Sequence, residues 1–297
     1  MPTAKKPAVS RAQRPLHPDE ARMRSQLEQA LLRGTHEHYV DAEQYDHEYS
    51  RRRDDVAFYL AVAAEHADGP ILELGPGSGR LTMALAKAGH TVVGVDASRQ
   101  MIARCASELE RPKNADLRDR VSLHVADFRE LAGRSVLGKQ KFSLVLCPFN
   151  AFQHLYERTD VEAFLDGVRA HLAPGGRFVF DLMNPDLGWL SRDSTKRWAR
   201  TRFKDPRTKV PMIYSTQIVY DSPLQVAFMT IFYERADGKG RTKRTLLTHR
   251  HFYPRELEAL LHYNDFVIER REGDFGGKSL QPESEQQVLF CTAAPRR

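Results

Sequence analysis

The sequence predicts an α/β protein built on a doubly wound, mostly parallel sheet, with an N-terminal helical cap and an antiparallel β insertion. Short apolar strands alternate with amphipathic helices over residues 71–183, long strands joined by tight turns occupy residues 212–252, and helical patterns fill residues 19–66. Strands that alternate with helices pair in parallel through right-handed crossovers. Long strands joined by hairpin turns pair in antiparallel fashion.

Seven short apolar runs supply the strands of the predicted sheet. They are ILEL (71–74), TVVGVD (91–96), VSLHVAD (121–127), FSLVLC (142–147), RFVFDLM (177–183), FVIERRE (266–272) and QVLFCTAA (287–294). Helices are expected at 79–88, 99–109 and 160–172, and a further helix opens at Pro254, because apolar residues recur there at helical spacing.

The length of 297 residues favours one elaborated domain over two independent ones. Residues 1–18, rich in Pro, Lys and Arg, are expected to be a disordered basic tail. Residues 19–66 then form the cap, and residues 67–297 form the main domain with its β insertion at about 186–252.

The net charge of +6 is unevenly distributed, since residues 192–250 carry fourteen Lys or Arg against five Asp or Glu. This segment could meet an anionic partner. The alternative is a cationic sheet edge that discourages pairing with other chains.

The three cysteines, Cys105, Cys147 and Cys291, are scattered and lack metal-ligand spacing, which favours reduced core thiols and no metal site. No secretory signal and no membrane-length apolar run is visible, so a cytoplasmic protein without a membrane partner is expected.

The stretch ELGPGSGR follows the first strand and places three glycines, at positions 75, 77 and 79, in five residues. The first strand of a doubly wound sheet ends where ligands bind, and a glycine-rich turn lets a ligand approach the backbone. Asp96 ends the second strand, where a carboxylate can accept hydrogen bonds from ribose hydroxyls. Together these features indicate a cofactor that contains a nucleoside.

The spacing bears on which cofactor this is. Dinucleotide enzymes use G-x-G-x-x-G, whereas this turn reads G-x-G-x-G with Glu73 before it. A buried acid would repel a pyrophosphate but suits the ammonium group of S-adenosylmethionine. A nicotinamide-dependent oxidoreductase remains the alternative.

The segments ELGPGSGR, VVGVDASRQMI, VADF and HLAPGGRFVFDL resemble the successive motifs of class I S-adenosylmethionine-dependent methyltransferases, which have a seven-stranded Rossmann-like sheet. The similarity covers about residues 45–183 and resumes from Phe252 to the end. YDHEY before the first strand and the β insertion after the fifth resemble, more loosely, small-molecule N-methyltransferases of the glycine and deoxyaminosugar type.

The resemblance implies a set of cofactor-binding positions. By this resemblance Glu73 would face the ammonium group through water, Asp96 the ribose, and Asp127 the adenine amine. Three roles have alternatives: Met101 could be plain core, Asp127 could cap the turn that follows it, and the two tyrosines could simply pack on one helix face. The full set is Tyr45, Tyr49, Glu73, Gly75, Pro76, Gly77, Gly79, Asp96, Ala97, Met101, Asp127, Phe128 and Pro148.

The loop CPFNAFQHLY (147–156) follows the fourth strand, and the resemblance directs it toward the reactive methyl group. It lacks the Asn/Asp-Pro-Pro-aromatic motif of nucleic-acid amino methyltransferases, which argues against a nucleic-acid acceptor. His154 is the candidate general base, because an imidazole ordinarily accepts a proton near neutral pH. Tyr156 is its substitute, and the alternative for His154 is a structural hydrogen bond near the helix at 160–172.

The β insertion is expected to act as a lid and substrate wall. Strand alternation would turn His249 and His251 to one face and Arg250 to the other, and the alternative is that these are solvated strand positions. The candidate substrate-binding positions are Phe149, Asn150, His249, Arg250 and His251.

The predicted function is S-adenosylmethionine-dependent methyl transfer to a small-molecule acceptor, at nitrogen or else at oxygen. Two alternatives are a basic nucleic-acid- or protein-binding regulatory protein on the same fold, and a methyltransferase of RNA or protein. Assembly into a homo-oligomer is possible.

Overall fold

The computed structural model describes residues 18–133 and 136–295, so the expected disordered tail lies outside the described residues except for Pro18. Its strands form two sheets. They are β1 (Ile71–Leu74), β2 (Val92–Asp96), β3 (Val121–Val125), β4 (Phe142–Cys147), β5 (Leu172–Met183), β6 (Trp198–Lys204), β7 (Pro211–Asp221), β8 (Val226–Arg235), β9 (Lys243–Arg250), β10 (Phe266–Glu272) and β11 (Gln286–Ala293).

The main sheet has seven strands in the order β10-β11-β5-β4-β1-β2-β3. β11 runs antiparallel to both of its neighbours, and the remaining pairs are parallel. The strand order reverses between β1 and β4, which places the ligand-binding crevice at their carboxyl ends. The predicted fold class is confirmed.

The helices cover both faces of this sheet and form the cap. They are α1 (Pro18–His36), α2 (Ala42–Tyr49), α3 (Asp54–His66), α4 (Arg80–Lys87), α5 (Arg99–Leu109), α6 (Arg158–His171), α7 (Leu187–Leu190) and α8 (Pro254–Tyr263). The first helix passes through Gly34 and ends two residues later, at His36. None of the helices among the described residues is both long and apolar enough to cross a membrane.

The main core lies on the two faces of the central strands. Leu72 and Leu74 of β1 belong to one apolar cluster, with α6 and α8, whereas Ile71 belongs to a second cluster, with α3 and α4. Because alternate side chains of a strand point to opposite faces, a parallel strand covered on both sides is apolar throughout. This explains why ILEL reads as a nearly continuous apolar run.

The insertion forms a separate antiparallel sheet in the order β6-β7-β8-β9. The sequence predicted three of these strands and missed β6. Five of the seven residues of WARTRFK are exposed, so no buried face marks the strand by alternation. It pairs along one side only, as an edge strand rich in cations.

Ion pairs and a hydrogen bond hold the insertion against the cap. Lys243 of β9 contacts Asp41 at 2.9 Å, and Arg207 pairs with both Asp41 and Glu43. Glu37 accepts a hydrogen bond from the backbone N–H of Leu246 at 2.9 Å. Part of the insertion's positive charge therefore neutralises carboxylates of the same chain.

Candidate functional site

A cavity of about 490 Å³ opens at the carboxyl ends of β1, β2 and β4, under the cap. Its size suits a small-molecule ligand. The structure brings eleven of the predicted positions together in its lining: Tyr45, Gly75, Gly77, Asp96, Ala97, Asp127, Phe128, Pro148, Phe149, His154 and Tyr156.

The three glycines of the turn all have positive φ, but each is required for a different reason. A Cβ on Gly79 would lie 2.3 Å from Cys105 Sγ, so that glycine lets α4 pack against α5. A Cβ on Gly75 would lie 2.9 Å from the Cβ of Ala151. A Cβ on Gly77 would meet nothing within 4 Å and would project into open space. Gly77 is therefore the glycine whose missing side chain leaves room for a ligand.

Asp96 lies directly beside this open space. Its carboxylate accepts hydrogen bonds from the backbone N–H of Gly77 at 3.0 Å and of Ser98 at 2.8 Å. Burial raises the pKa of Asp96, and the two N–H groups act against that shift. Each carboxylate oxygen keeps a lone pair for a further donor. The side chain can thus receive two hydroxyl groups from a ligand.

Asp127 lines the cavity and also caps the turn that follows it, and its contact with an adenine amine stays a prediction. It accepts from the backbone N–H of Arg129 at 2.9 Å and from the Arg129 guanidinium at 2.6 Å. Burial acts to raise the pKa of Asp127, but these bonds outweigh it and hold the pKa below its usual value. An adenine amine here would share this carboxylate with Arg129.

Several predicted cofactor positions lie outside the cavity lining. Glu73 is 1% exposed and accepts from Thr82 Oγ1 at 2.7 Å, and burial raises its pKa to about 7. Met101 is 1% exposed in the core. Tyr49 bonds through its hydroxyl to His38 Nε2 at 3.1 Å. Pro76 and Gly79 shape the turn without lining the cavity.

His154 lies in a half-buried cluster of tyrosines on the cavity wall rather than at a free position. Its Nε2 is 2.8 Å from the Tyr39 hydroxyl, and its Nδ1 is 3.2 Å from the Tyr156 hydroxyl. The Tyr156 hydroxyl also meets Thr248 Oγ1 at 2.6 Å. Burial lowers the pKa of His154 to about 3 and raises that of Tyr156. Both candidate bases are thus moved away from neutral pH.

The three insertion residues predicted to bind substrate are absent from the lining of this cavity, and they are not solvated either. His249 is 8% exposed, with its ring centre 5.0 Å from that of His154. His251 is 1% exposed and lies against Trp189. Arg250 donates to the Tyr156 carbonyl at 3.0 Å and pairs with Glu256 at 2.6 Å. These contacts anchor the insertion to the loop after β4.

A second, larger cavity of about 910 Å³ lies at the carboxyl ends of β4 and β5. It is bounded by the start of α3 and by the connection between β10 and β11, and no residue of the insertion lines it. Phe149 lines both cavities, and Asn150 lines the second one.

Sequence reasoning missed several residues of the site. Tyr39 and six residues of α1 line the first cavity, and Asp181 lines the second. A carboxylate within the apolar run RFVFDLM was a signal for Asp181, because a buried charge is rare without a partner. No local pattern marked the α1 residues, since their role depends on where the helix docks. The α1 residues are Arg24, Glu28, Leu31, Leu32, Thr35 and His36.

A family model described as "Methyltransferase domain" matches residues 71–176. The cypemycin N-terminal methyltransferase of Streptomyces sp is 36% identical over 115 residues, which are 39% of this chain and 42% of the relative. The glycine/sarcosine N-methyltransferase of Parasynechococcus marenigrum is 31% identical over 129 residues, 43% of either chain. The chain thus spans less than half the length of these two relatives.

The fold is shared with solved methyltransferase structures. The CcbJ methyltransferase from Streptomyces caelestis superposes with a TM-score of 0.67 at 24% identity, over 82% of this chain and 90% of the other. That likeness shows the fold. The domain match and the curated relatives confirm the resemblance drawn from the motifs, and residues 71–176 of the chain match a methyltransferase domain.

Proposed function

We propose that the protein transfers a methyl group from S-adenosylmethionine to a nitrogen of a small-molecule acceptor. The observation that carries the proposal is the open space above Gly77, next to the carboxylate of Asp96 and under the loop that follows β4. A nucleoside fits there because the turn offers backbone contact and the carboxylate offers acceptors for ribose hydroxyls.

The residues of the first cavity divide into an adenosine end and a methionine end. Phe128 and Asp127 lie after β3 and would hold the adenine, while Asp96 and Ala97 would hold the ribose. Gly75, Pro148 and Tyr45 line the part nearest β1 and β4 and would hold the methionine portion. When bound there, S-adenosylmethionine would supply a methyl group activated by its positively charged sulfur. The acceptor nitrogen's lone pair would displace the sulfur, which would keep the electrons of the broken bond, and the nitrogen's proton would pass to solvent.

The acid–base properties of the loop favour nitrogen over oxygen as the acceptor atom. A hydroxyl acceptor usually needs a base whose pKa lies near the working pH. His154 has its pKa lowered to about 3 and both ring nitrogens occupied by tyrosine hydroxyls. We assign it the role of positioning Tyr39 and Tyr156. An amine that arrives unprotonated needs only alignment, which can lower a barrier by about 7–11 kcal/mol.

Small-molecule N-methylation also agrees with the relatives, two of which are named as N-methyltransferases of glycine and sarcosine. The use of Arg207 and Lys243 in ion pairs with the cap leaves less of the insertion's charge for a nucleic-acid backbone. We further expect the protein to be cytoplasmic. Formation of a homo-oligomer stays a prediction.

The proposal is tested by calorimetry with S-adenosylmethionine. Gly77→Val should abolish binding, because the side chain would fill the open space and strain a backbone with φ of 59°. Gly138→Val is the matched control, since Gly138 also faces open space and has φ of 58°, but lies outside both cavities. Wild-type affinity in Gly77→Val would refute the cofactor site.

The acceptor atom is tested separately, with radiolabelled cofactor and paired panels of small amines and alcohols. Labelled methyl groups should appear on amines. Labelling of alcohols alone would show that oxygen is the acceptor, and labelling of neither panel would refute small-molecule methyl transfer to these classes.

A further inference from the structure

Arg129 lies at the adenosine end of the first cavity, although no sequence motif marked it. It follows the end of β3 and lines the cavity together with Asp127 and Phe128. Its side chain is 44% exposed, which places it at the rim of the cavity and not in the core. A cation therefore stands beside both residues that would hold the adenine.

Arg129 uses the hydrogen-bonding capacity of Asp127. Oδ1 of Asp127 accepts from the backbone N–H of Arg129 at 2.9 Å and from its Nε–H at 3.0 Å. Oδ2 accepts from the same Nε–H at 3.0 Å and from an Nη2–H at 2.6 Å. A carboxylate offers about four lone-pair sites, two on each oxygen. Both oxygens of Asp127 are therefore already occupied.

The guanidinium is also held from its other side. Its Nη1 donates to Asp160 Oδ1 at 3.3 Å, and Asp160 Oδ2 accepts from the backbone N–H of Glu157 at 3.2 Å. Asp160 lies in the first turn of α6, so Arg129 bridges the end of β3 and the start of that helix. A guanidinium that engages a carboxylate through two N–H groups is fixed in direction as well as in distance. These contacts hold Arg129 on Asp127.

Asp96 provides a contrast within the same cavity. It accepts from two backbone N–H groups, and none of the side chains that the structure describes donates a hydrogen bond to it. Each of its oxygens keeps a lone pair for a ribose hydroxyl. Asp127 lies at the end of the next strand without such a reserve. The two carboxylates therefore differ in what they can offer a nucleoside.

Arg129 also has hydrogen-bond donors to spare. A guanidinium carries five N–H groups, and the contacts with Asp127 and Asp160 use three of them. The two that remain can donate to a carbonyl oxygen. The pair of Asp127 and Arg129 carries no net charge, so it does not repel the partial negative charge of such an oxygen.

We infer that Arg129 is a specificity-determining residue of the cofactor cavity, because it prevents the cavity from discriminating between an amino and an oxo group at position 6 of the purine. An adenine amine reaches Asp127 only by sharing acceptor positions with Arg129, whereas an oxo group can accept from the guanidinium. The base is then held mainly by Phe128, which packs edge-on against Phe164 of α6 with 5.3 Å between ring centres. The inference concerns cofactor binding and does not depend on the methyl acceptor.

The test compares two ligands that bind without methyl transfer, with the full chain and calorimetry at pH 7. S-adenosylhomocysteine carries the 6-amino group, and S-inosylhomocysteine carries an oxo group in its place. The dissociation constants of the wild type should differ by less than about threefold. Arg129→Ala should prefer S-adenosylhomocysteine by about tenfold, because the freed carboxylate accepts a charge-assisted hydrogen bond from the amine and offers a carbonyl oxygen no donor.

The ratio of the two dissociation constants separates this role from a structural one. If Arg129→Ala only loosened the contact between β3 and α6, both ligands would bind more weakly and the ratio would not change. Adding Asp127→Asn should return the ratio to near one, because an amide can accept from an amine or donate to a carbonyl. Arg118→Ala is the matched control: Arg118 pairs with Glu110 at 3.1 Å and has a side chain 45% exposed, but lies outside both cavities. Its removal should change neither dissociation constant.

A wild-type preference for S-adenosylhomocysteine above about threefold would overturn the inference, since Asp127 would then read the amine despite Arg129. A ratio that Arg129→Ala leaves unchanged, or that the added Asp127→Asn does not return to near one, would overturn it as well. Failure of both ligands to bind would refute the cofactor cavity and this inference with it. Failure to find an amine that is methylated would refute the proposed function alone.

Discussion

Gly34→Ala tests how the N-terminal helix is held over the cofactor cavity. A Cβ at Gly34 would lie 2.2 Å from Thr248 Oγ1 and 2.4 Å from its Cγ2, whereas ordinary contacts begin at 3.4 Å. The Cβ of Thr248 is also too close, at 2.7 Å from the Cβ added at position 34. The substitution therefore forces α1 and β9 apart at the point where they cross.

The expected change in the unfolding free energy of Gly34→Ala follows from two opposed effects. Overpacking of a tight contact costs about 1–3 kcal/mol of unfolding free energy, while alanine in place of glycine within a helix returns about 1 kcal/mol. The net loss of stability should thus be at most about 2 kcal/mol. The effect on cofactor affinity has no such offset, because Leu31, Leu32 and Thr35 move with the helix and line the cavity.

The assays are urea unfolding and calorimetry with S-adenosylmethionine. We expect the dissociation constant of Gly34→Ala to rise by about tenfold, equivalent to about 1.4 kcal/mol. Gly69→Ala is the control, since the nearest atom to its Cβ is 4.0 Å away. Adding Thr248→Ala should restore part of the affinity, with the cost of Thr248→Ala alone subtracted through a double-mutant cycle.

Wild-type affinity and stability in Gly34→Ala would refute the close packing of α1 on β9. A loss of affinity that Thr248→Ala does not relieve would show that the effect arises elsewhere on the helix.

Two further predictions concern buried titratable groups. Burial raises the pKa of Asp181 to about 6, so this carboxyl holds a proton more readily in the folded protein than in the unfolded chain. The free energy of unfolding of the wild type, relative to that of Asp181→Asn, should therefore fall as pH rises from about 4 to about 6 and stay level above that window. Urea unfolding at a series of pH values measures this difference, and a difference that does not change with pH would contradict the prediction. His154→Ala should lower turnover without changing the dependence of turnover on pH between pH 6 and pH 9, because the imidazole is already neutral there. His154→Gln should recover part of the lost turnover, because its amide can replace the hydrogen bonds of the imidazole. If turnover of the wild type falls at low pH and this fall is absent in His154→Ala, His154 is a general base instead.

The sequence predicted the architecture well where the evidence is local. Short runs of four to eight residues, most of them separated by segments with helical spacing, identified all seven strands of the main sheet. It failed at β6, because an exposed edge strand buries no face and so leaves no alternation to read. It also treated the three glycines of the turn as one ligand-binding feature. Gly79 instead serves the contact with Cys105, which lies 26 residues further along the chain.

The chain by itself determined the order of strands and helices, the glycine-rich turn and the carboxylates at strand ends, because periodicity and turn chemistry act between near neighbours in sequence. Tertiary structure alone decided that α1 forms a cavity wall, that His154 lies between two tyrosines, and that Phe149 lines two cavities. Burial and long-range contact set these properties. The low pKa of His154 and the hydrogen bond from the Phe149 N–H to Asp181 exist only when segments more than 30 residues apart pack together.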